Sequence, residues 1–296
     1  MGKALAEEFE ECRAVFAEAD AALGESLSQL CFEGPEDRLM LTENTQPAIL
    51  AMSVAAARLL MGRGIRPAFV AGHSLGEYSA HVVAGTLDFA DAVRIVRRRG
   101  RYMQDAVPVG AGAMAALLGA DEALAAQACV EASSGDVVSP ANLNGPGQVV
   151  IAGARDAVAR AGERAKALGA RRVVPLPVSA PFHCALMKPA EERLAPELRA
   201  LAARDPQVPV VANVDAEPKT TARASIDALV AQVSAPVRWE DVVRRLASAG
   251  VRAYVEVGPG TVLSGLVRKI QRDARLANFE SPGDLEAVEA LVRETA

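Results

Sequence analysis

Histidine is scarce in this chain: only His73, His81 and His183 occur among 296 residues, so any imidazole base must be one of three. The four cysteines, Cys12, Cys31, Cys129 and Cys184, show neither metal-ligand spacing nor a paired framework, which argues against a cysteine-held metal and against a disulfide scaffold. They read as the reduced thiols of a cytoplasmic protein, with Cys184, beside His183, the one expected to be reactive. No apolar run is long enough to span a bilayer, and residues 1–13 are polar and helical in pattern, unlike a secretory leader. Surplus positive charge is also missing, and a net charge of −5 with a pI near 5.4 excludes nucleic acid as the expected partner. What is present, 51% hydrophobic and 23% charged residues, is enough core for one large or two small globular domains.

One pentapeptide carries more chemistry than the rest. Gly72-His73-Ser74-Leu75-Gly76 follows the apolar run 67–71 and precedes the helix-like stretch 77–83. A strand that turns sharply into a helix is a nucleophile elbow, with glycines letting the backbone pass and the serine hydroxyl exposed above the sheet. The helix N-terminus behind it offers positive potential to a developing oxyanion. Ser74 is therefore the candidate nucleophile. Its base follows by elimination: His73 adjoins the nucleophile on the turn and points elsewhere, and His81 lies about two turns along the same helix. His183 remains, in the proline-containing loop Val178-Ser179-Ala180-Pro181-Phe182-His183-Cys184.

The pattern along the chain alternates helix and strand. Helices are expected over residues 5–23, 46–63 and 90–105. The middle then reads strand 113–118, helix 121–133, strand 137–143, the turn Asn144-Gly145-Pro146-Gly147, strand 148–153, helix 154–168 and strand 172–178. This βαββαβ order is the ferredoxin-like arrangement, expected as an insert at 108–178 in an α/β-hydrolase-like body of residues 1–107 and 179–296 with a parallel-rich sheet. The body resumes with helix 185–202, strand 208–214, helices 225–233 and 239–249, and strand 252–257. On the helix 90–105, Arg94, Arg97, Arg98 and Arg101 crowd the polar side, whereas Arg99 sits at the edge of the apolar stripe. Spacing alone leaves Arg99 open, as an anion-binding fork or as a snorkelling surface arginine.

Taken together, Gly72-His73-Ser74-Leu75-Gly76-Glu77-Tyr78-Ser79-Ala80, Arg99-Gly100 with Met103-Gln104, the run from Asn142 to Gly153, the His183 loop and Glu256-Val257-Gly258-Pro259-Gly260 resemble the malonyl-CoA:acyl-carrier-protein transacylase family over nearly the whole chain. The resemblance implies a ping-pong acyltransferase of fatty acid or polyketide synthesis. Ser74 would take malonyl from coenzyme A and yield it to the phosphopantetheine thiol of acyl carrier protein, without cofactor or metal, in a monomer. It implies that Arg99 binds the malonyl carboxylate and that Gln46, Met103, Asn144 and Phe182 line the pocket. In related polyketide enzymes Phe at the position of Phe182 goes with malonyl and Ser with methylmalonyl. It also implies that Leu75 supplies an oxyanion N–H and that the Gln232 carbonyl orients His183, so no aspartate is needed. Asp215 and Asp241 are the acidic partners that chain order alone would suggest.

One departure bears on activity. The family begins with a strand and a Gly-Gln-Gly-Ser-Gln loop, whereas Met1-Gly2-Lys3 matches the position just beyond it. As written, the chain is expected to lack one oxyanion donor, at a cost on the order of 10²- to 10³-fold in rate, and to expose an unpaired sheet edge. A serine esterase or thioesterase on the same elbow, and a poorly active carrier-protein-binding module, are the competing readings.

Overall fold

The computed structural model describes residues 1–295. Helices α1 (Lys3–Glu8), α2 (Glu10–Leu23), α3 (Leu27–Glu33), α4 (Glu36–Leu39) and α5 (Thr42–Gly62) open the chain. The single helix expected over 5–23 is divided, because Phe9 adopts extended geometry at φ −116° and ψ 124°. Strand β1 (Val70–Ala71), α6 (Leu75–Val83) and α7 (Phe89–Asp105) follow. Next come β2 (Gly112–Leu118), α8 (Glu122–Ala132), β3 (Val138–Gly145), β4 (Gln148–Ala154), α9 (Arg155–Ala167) and β5 (Arg172–Pro175). A 3-10 turn then leads into α10 (Lys188–Arg199), β6 (Val210–Val211), β7 (Pro218–Lys219), α11 (Ala222–Gln232), α12 (Trp239–Ser248), β8 (Ala253–Val257), α13 (Val262–Ile270), β9 (Arg275–Phe279) and α14 (Leu285–Thr295).

The strands form a mixed α/β molecule. β1 runs parallel to β6, with Val70 opposite Val210, and β8 runs parallel to β9. The middle segment folds into an antiparallel sheet of order β3-β4-β2-β5, backed by α8 and α9 over a buried cluster that includes Leu117, Ile151 and Val158. The β3–β4 hairpin closes at Gly145 and Gly147, both at positive φ as a tight reversal requires. A backbone bond from Leu143 N–H to the Val237 carbonyl, and one from Val237 N–H to the Ala141 carbonyl, tie this sheet to the segment between α11 and α12. The ladders of β1 and β8 do not bond to each other. Between them lies a cavity of ≈ 1170 Å³ lined by Phe69, Val70, Val255 and Val257 and reaching Gly72 and Leu75.

The largest core centres on α5, which buries Leu50, Met52, Val54 and Leu59 because α2, α6 and α7 cover it on different sides. Its contact with α7 depends on Gly100: a Cβ there would stand 2.6 Å from the Glu43 Cα. That close approach sets Arg99 on α7 against Gln46 on α5.

Candidate active site

The elbow is built as its local chemistry demands. Ser74 sits between β1 and α6 with φ 52° and ψ −109°, a left-handed geometry that is costly for a residue with a Cβ. Of the two flanking glycines only one is forced by its own Cβ: at Gly72 it would fall 2.0 Å from the Gly76 carbonyl carbon, whereas at Gly76 it would meet nothing within 4 Å. What holds the strained turn is Asn213, a fully buried residue just after β6. Its Oδ1 accepts from the Ser74 N–H at 2.7 Å and its Nδ2 donates to the Gly72 carbonyl at 2.8 Å.

His183 also carries a positive φ, 59°, and lies buried on the loop that follows β5. Its Nε2 is 2.7 Å from Ser74 Oγ and its Nδ1 is 3.0 Å from the Gln232 backbone oxygen. A carbonyl only accepts, so the proton resides on Nδ1, and Nε2 is left to accept the serine O–H. Burial, aided by the nearby Arg99 charge, lowers the imidazole to about 3, so it rests neutral and able to take a proton. Asp215 and Asp241 do not reach it. The first pairs with Lys219 and the second with Arg238.

Arg99 is 2% exposed and its hydrogen-bond acceptors are all neutral. Nη1 donates to Gln46 Oε1 at 2.7 Å; Nη2 donates to Gln232 Oε1 at 3.0 Å and to Ser74 Oγ at 3.2 Å. The Tyr78 ring lies 5.4 Å from the guanidinium carbon. A cation buried among neutral acceptors and touching the nucleophile is poised for an anion that arrives with a ligand. Met103 is buried, with its Sδ 4.0 Å from Gln46 Nε2. Phe182 is half-buried and packs against both the main core and the small-sheet cluster. Leu75 is the first residue of α6, so its N–H has no acceptor within the helix and faces the elbow. Asn144 lines the cavity together with His73, and its Oδ1 accepts from His73 Nε2 at 2.8 Å.

Two expectations are overturned. Arg97 is not on the polar side: it is 7% exposed, donates to Asn44 at 2.8 Å and pairs with Glu25 at 3.0 Å. Cys184 is not a reactive thiol. It is 2% exposed and burial pushes it up to about 11, which leaves almost no thiolate at neutral pH. Two polar residues of the site also escaped the sequence reading. Asn213 ends the apolar run at 208–212, and a lone amide closing a parallel strand was the available signal. Glu77, fully buried on α6, accepts at Oε2 from the Asn213 N–H and from Gln232 Nε2, each at 2.9 Å.

These buried groups make stability pH-dependent. His81, like His183, is lowered to about 3 from 6.5 by burial, while burial raises Glu77 from 4.5 to about 7. Histidines held neutral contribute stability that is complete above 6.5 and lost as pH falls toward 3; Glu77 opposes them, its contribution being lost as pH rises from 4.5 to 7. Burial lowers His73 as well, so between those limits unfolding takes up more protons at the three histidines than Glu77 releases, and stability falls on acidification. The melting temperature should drop steadily from pH 6.5 to 5, and His81→Gln should flatten that slope. A melting temperature that rises over this interval would contradict the assignment.

Among the described residues, no group of three or more His, Cys, Asp and Glu is placed to hold a metal, and no helix is long and apolar enough to cross a membrane. The acyl transferase domain family model matches residues 1–286. The malonyl CoA-acyl carrier protein transacylase of Escherichia coli (strain K12) is 53% identical over 273 residues, 92% of this chain and 88% of that protein. That of Bacillus subtilis (strain 168) is 47% identical over 296 residues, 99% of this chain and 93% of its own length. An acyl carrier protein S-malonyltransferase structure from Vibrio cholerae superposes with a TM-score of 0.95 at 47% identity, covering 97% of this chain and 94% of that one. A malonyl-transacylase solved in complex with a type II PKS acyl-carrier protein gives 0.95 at 46% identity, covering 99% and 94%.

Proposed function

Because the chain belongs to the acyl transferase domain family, among its malonyl-CoA:acyl carrier protein transacylases, we infer that Ser74, His183 and Arg99 divide the work of malonyl transfer. The reaction moves a malonyl group from malonyl-CoA to the phosphopantetheine thiol of acyl carrier protein. Ser74 Oγ gives its proton to His183 Nε2 and attacks the thioester carbonyl. The carbonyl oxygen becomes an oxyanion facing the N-terminus of α6, where the Leu75 N–H is the donor. As the intermediate collapses, the carbon–sulfur bond breaks and the imidazolium protonates the departing coenzyme A sulfur, leaving a malonyl-serine ester. The carrier-protein thiol then gives its proton to His183 and attacks the ester, and Ser74 Oγ recovers the proton as it leaves. Throughout, Arg99 holds the malonyl carboxylate, and the Gln232 carbonyl keeps the Nδ1 tautomer in place.

One observation carries this reading: His183 Nε2 and Arg99 Nη2 converge on the same Ser74 oxygen, at 2.7 and 3.2 Å. An esterase needs the first contact and has no use for the second. A substrate with its own carboxylate, one short acyl group away from the reacting carbonyl, needs both. Residues 108–178 are taken as a subdomain inserted between body segments 1–107 and 179–296, since β2 to β5 share a sheet and a core of their own.

Brief incubation with malonyl-CoA should raise the intact mass by one malonyl group, and peptide mapping should find the ester on Ser74. Label on Cys184 instead would overturn the assignment. The extender preference is a second test, since Phe182 fills space between body and insert at the residue before the base. A pocket of this kind discriminates one methyl group by about 10- to 200-fold. Malonyl-CoA should be preferred over methylmalonyl-CoA within that range, and Phe182→Ser should narrow the ratio. Equal turnover of the two substrates by the parent protein would remove Phe182 from the pocket.

A further inference from the structure

The buried charge that balances Arg99 is not in direct contact with it. Gln232 stands between, its Oε1 accepting from Arg99 Nη2 at 3.0 Å and its Nε2 donating to Glu77 Oε2 at 2.9 Å. The amide is thus aligned with its negative end on the cation and its positive end on the carboxylate. Glu77 is fully buried, and its second oxygen, Oε1, has no hydrogen-bond partner. His81 Nε2 stands 4.0 Å from that oxygen on the same helix, on a fully buried ring whose two nitrogens are also unpartnered. Around the carboxylate the charged and titratable groups are few: Arg99 from α7 favours its ionised form, Asp215 from the β6–β7 turn disfavours it, and Tyr78 and His81 from its own helix are neutral. Arg99 therefore has one carboxylate linked to it while the acyl pocket is empty, and would have two once malonyl is bound.

Two buried carboxylates facing one guanidinium leave an uncompensated negative charge, which a low-dielectric site relieves by protonating one of them. We propose that Glu77 is the charge-balancing residue of the site, ionised at mildly alkaline pH when Arg99 has no ligand anion and taking up one proton from solvent, at the free Oε1, when the malonyl carboxylate docks. The inference rests on the reading that Arg99 binds that carboxylate. Burial already holds Glu77 up to about 7, so at neutral pH a modest added charge is enough to complete its protonation. The consequence for specificity is direct. A carboxylated acyl group binds together with a proton, whereas an uncharged acyl group such as acetyl binds without one. Glu77 does not touch the reacting atoms; it acts through Gln232 and Arg99.

Acylation itself is proton-neutral below the thiol range, because the serine proton ends on the coenzyme A sulfur. Net proton uptake therefore reports the linked group. In weakly buffered solution with an indicator dye at pH 7.5, malonyl-CoA should draw roughly 0.7 proton per acylated site into the wild-type protein. Glu77→Gln should abolish that uptake, and acetyl-CoA should produce none in either protein. Independently, KM for malonyl-CoA should rise about tenfold per pH unit above pH 7 in the wild type and stay level between pH 6 and 8.5 in Glu77→Gln. The wild-type comparison of malonyl with acetyl stands even where the variant folds poorly. Equal uptake with both acyl donors, or uptake unchanged in Glu77→Gln, overturns the proposal. Arg99→Ala separates it from the reading beneath. If that change leaves the malonyl preference intact, the carboxylate assignment fails. If the preference is lost but wild-type malonylation takes up no proton, the role of Glu77 alone is refuted.

Discussion

Ser74→Ala should yield a protein that forms no covalent malonyl adduct and transfers malonyl slower by a factor on the order of 10⁵ to 10⁶. The whole route depends on one oxygen. His183 Nε2 lies 2.7 Å from Ser74 Oγ, and no other nucleophile of comparable reactivity is near, since burial pushes the neighbouring Cys184 thiol up to about 11. Alanine also removes the acceptor of one Arg99 hydrogen bond, but Gln46 and Gln232 still hold that guanidinium, so the fold and the carboxylate site should persist. His183→Ala should cost a comparable factor, and the double variant little more than either alone, because nucleophile and base act as one unit. The check is intact mass after malonyl-CoA treatment together with the transfer rate. An adduct on the Ser74→Ala protein would show that the nucleophile lies elsewhere.

Arg99→Ala should separate substrates by their charge. With malonyl-CoA the loss should be about 2 to 4 kcal/mol of transition-state binding, roughly 30- to 1000-fold in kcat/KM, because the ligand carboxylate then enters a buried site without its cation. With acetyl-CoA the loss should be much smaller. The variant also strips a donor from Gln46 Oε1 and from Gln232 Oε1, and that structural damage falls on both substrates alike. The ratio of the two rates, rather than either rate, is therefore the measurement. Arg99→Lys, which keeps the charge without the planar fork, should fall between alanine and the parent. Equal losses for malonyl and acetyl would make Arg99 a structural residue.

Most of the elements could be read along the chain because each is signalled locally. The βαββαβ order from β2 to β5 followed from alternating strands, amphipathic helices and the Asn144-Gly145-Pro146-Gly147 turn, and its ends differ from expectation by at most three residues. The expected strands 67–71 and 208–214 shrink to two paired residues each, Val70–Ala71 and Val210–Val211, since pairing requires a neighbour at the right distance as well as an apolar run. Helices α3, α4, α13 and α14 and strands β7 and β9 went unread.

The site divides along the same line. Composition and local order alone determined that Ser74 sits on an elbow and that His183 is the one histidine left to serve it, because glycine spacing, apolar runs and the scarcity of histidine are properties of the chain itself. Tertiary structure decided the charges. On a helix as basic as α7, periodicity placed Arg97 with the exposed arginines, yet the approach of α5 and α2 buries it on Asn44 and Glu25. It likewise gave no hint that Asn213 clamps the elbow or that Glu77 answers Arg99 across Gln232, because those partners come from segments more than 130 residues apart. Cys184, reactive by its neighbour in sequence, is inert by its burial in space. The physical reason is common to all of them. Backbone geometry is set by nearest neighbours and can be read in order, whereas the cost of a buried charge depends on everything within a few ångströms, and only the folded chain brings those groups together.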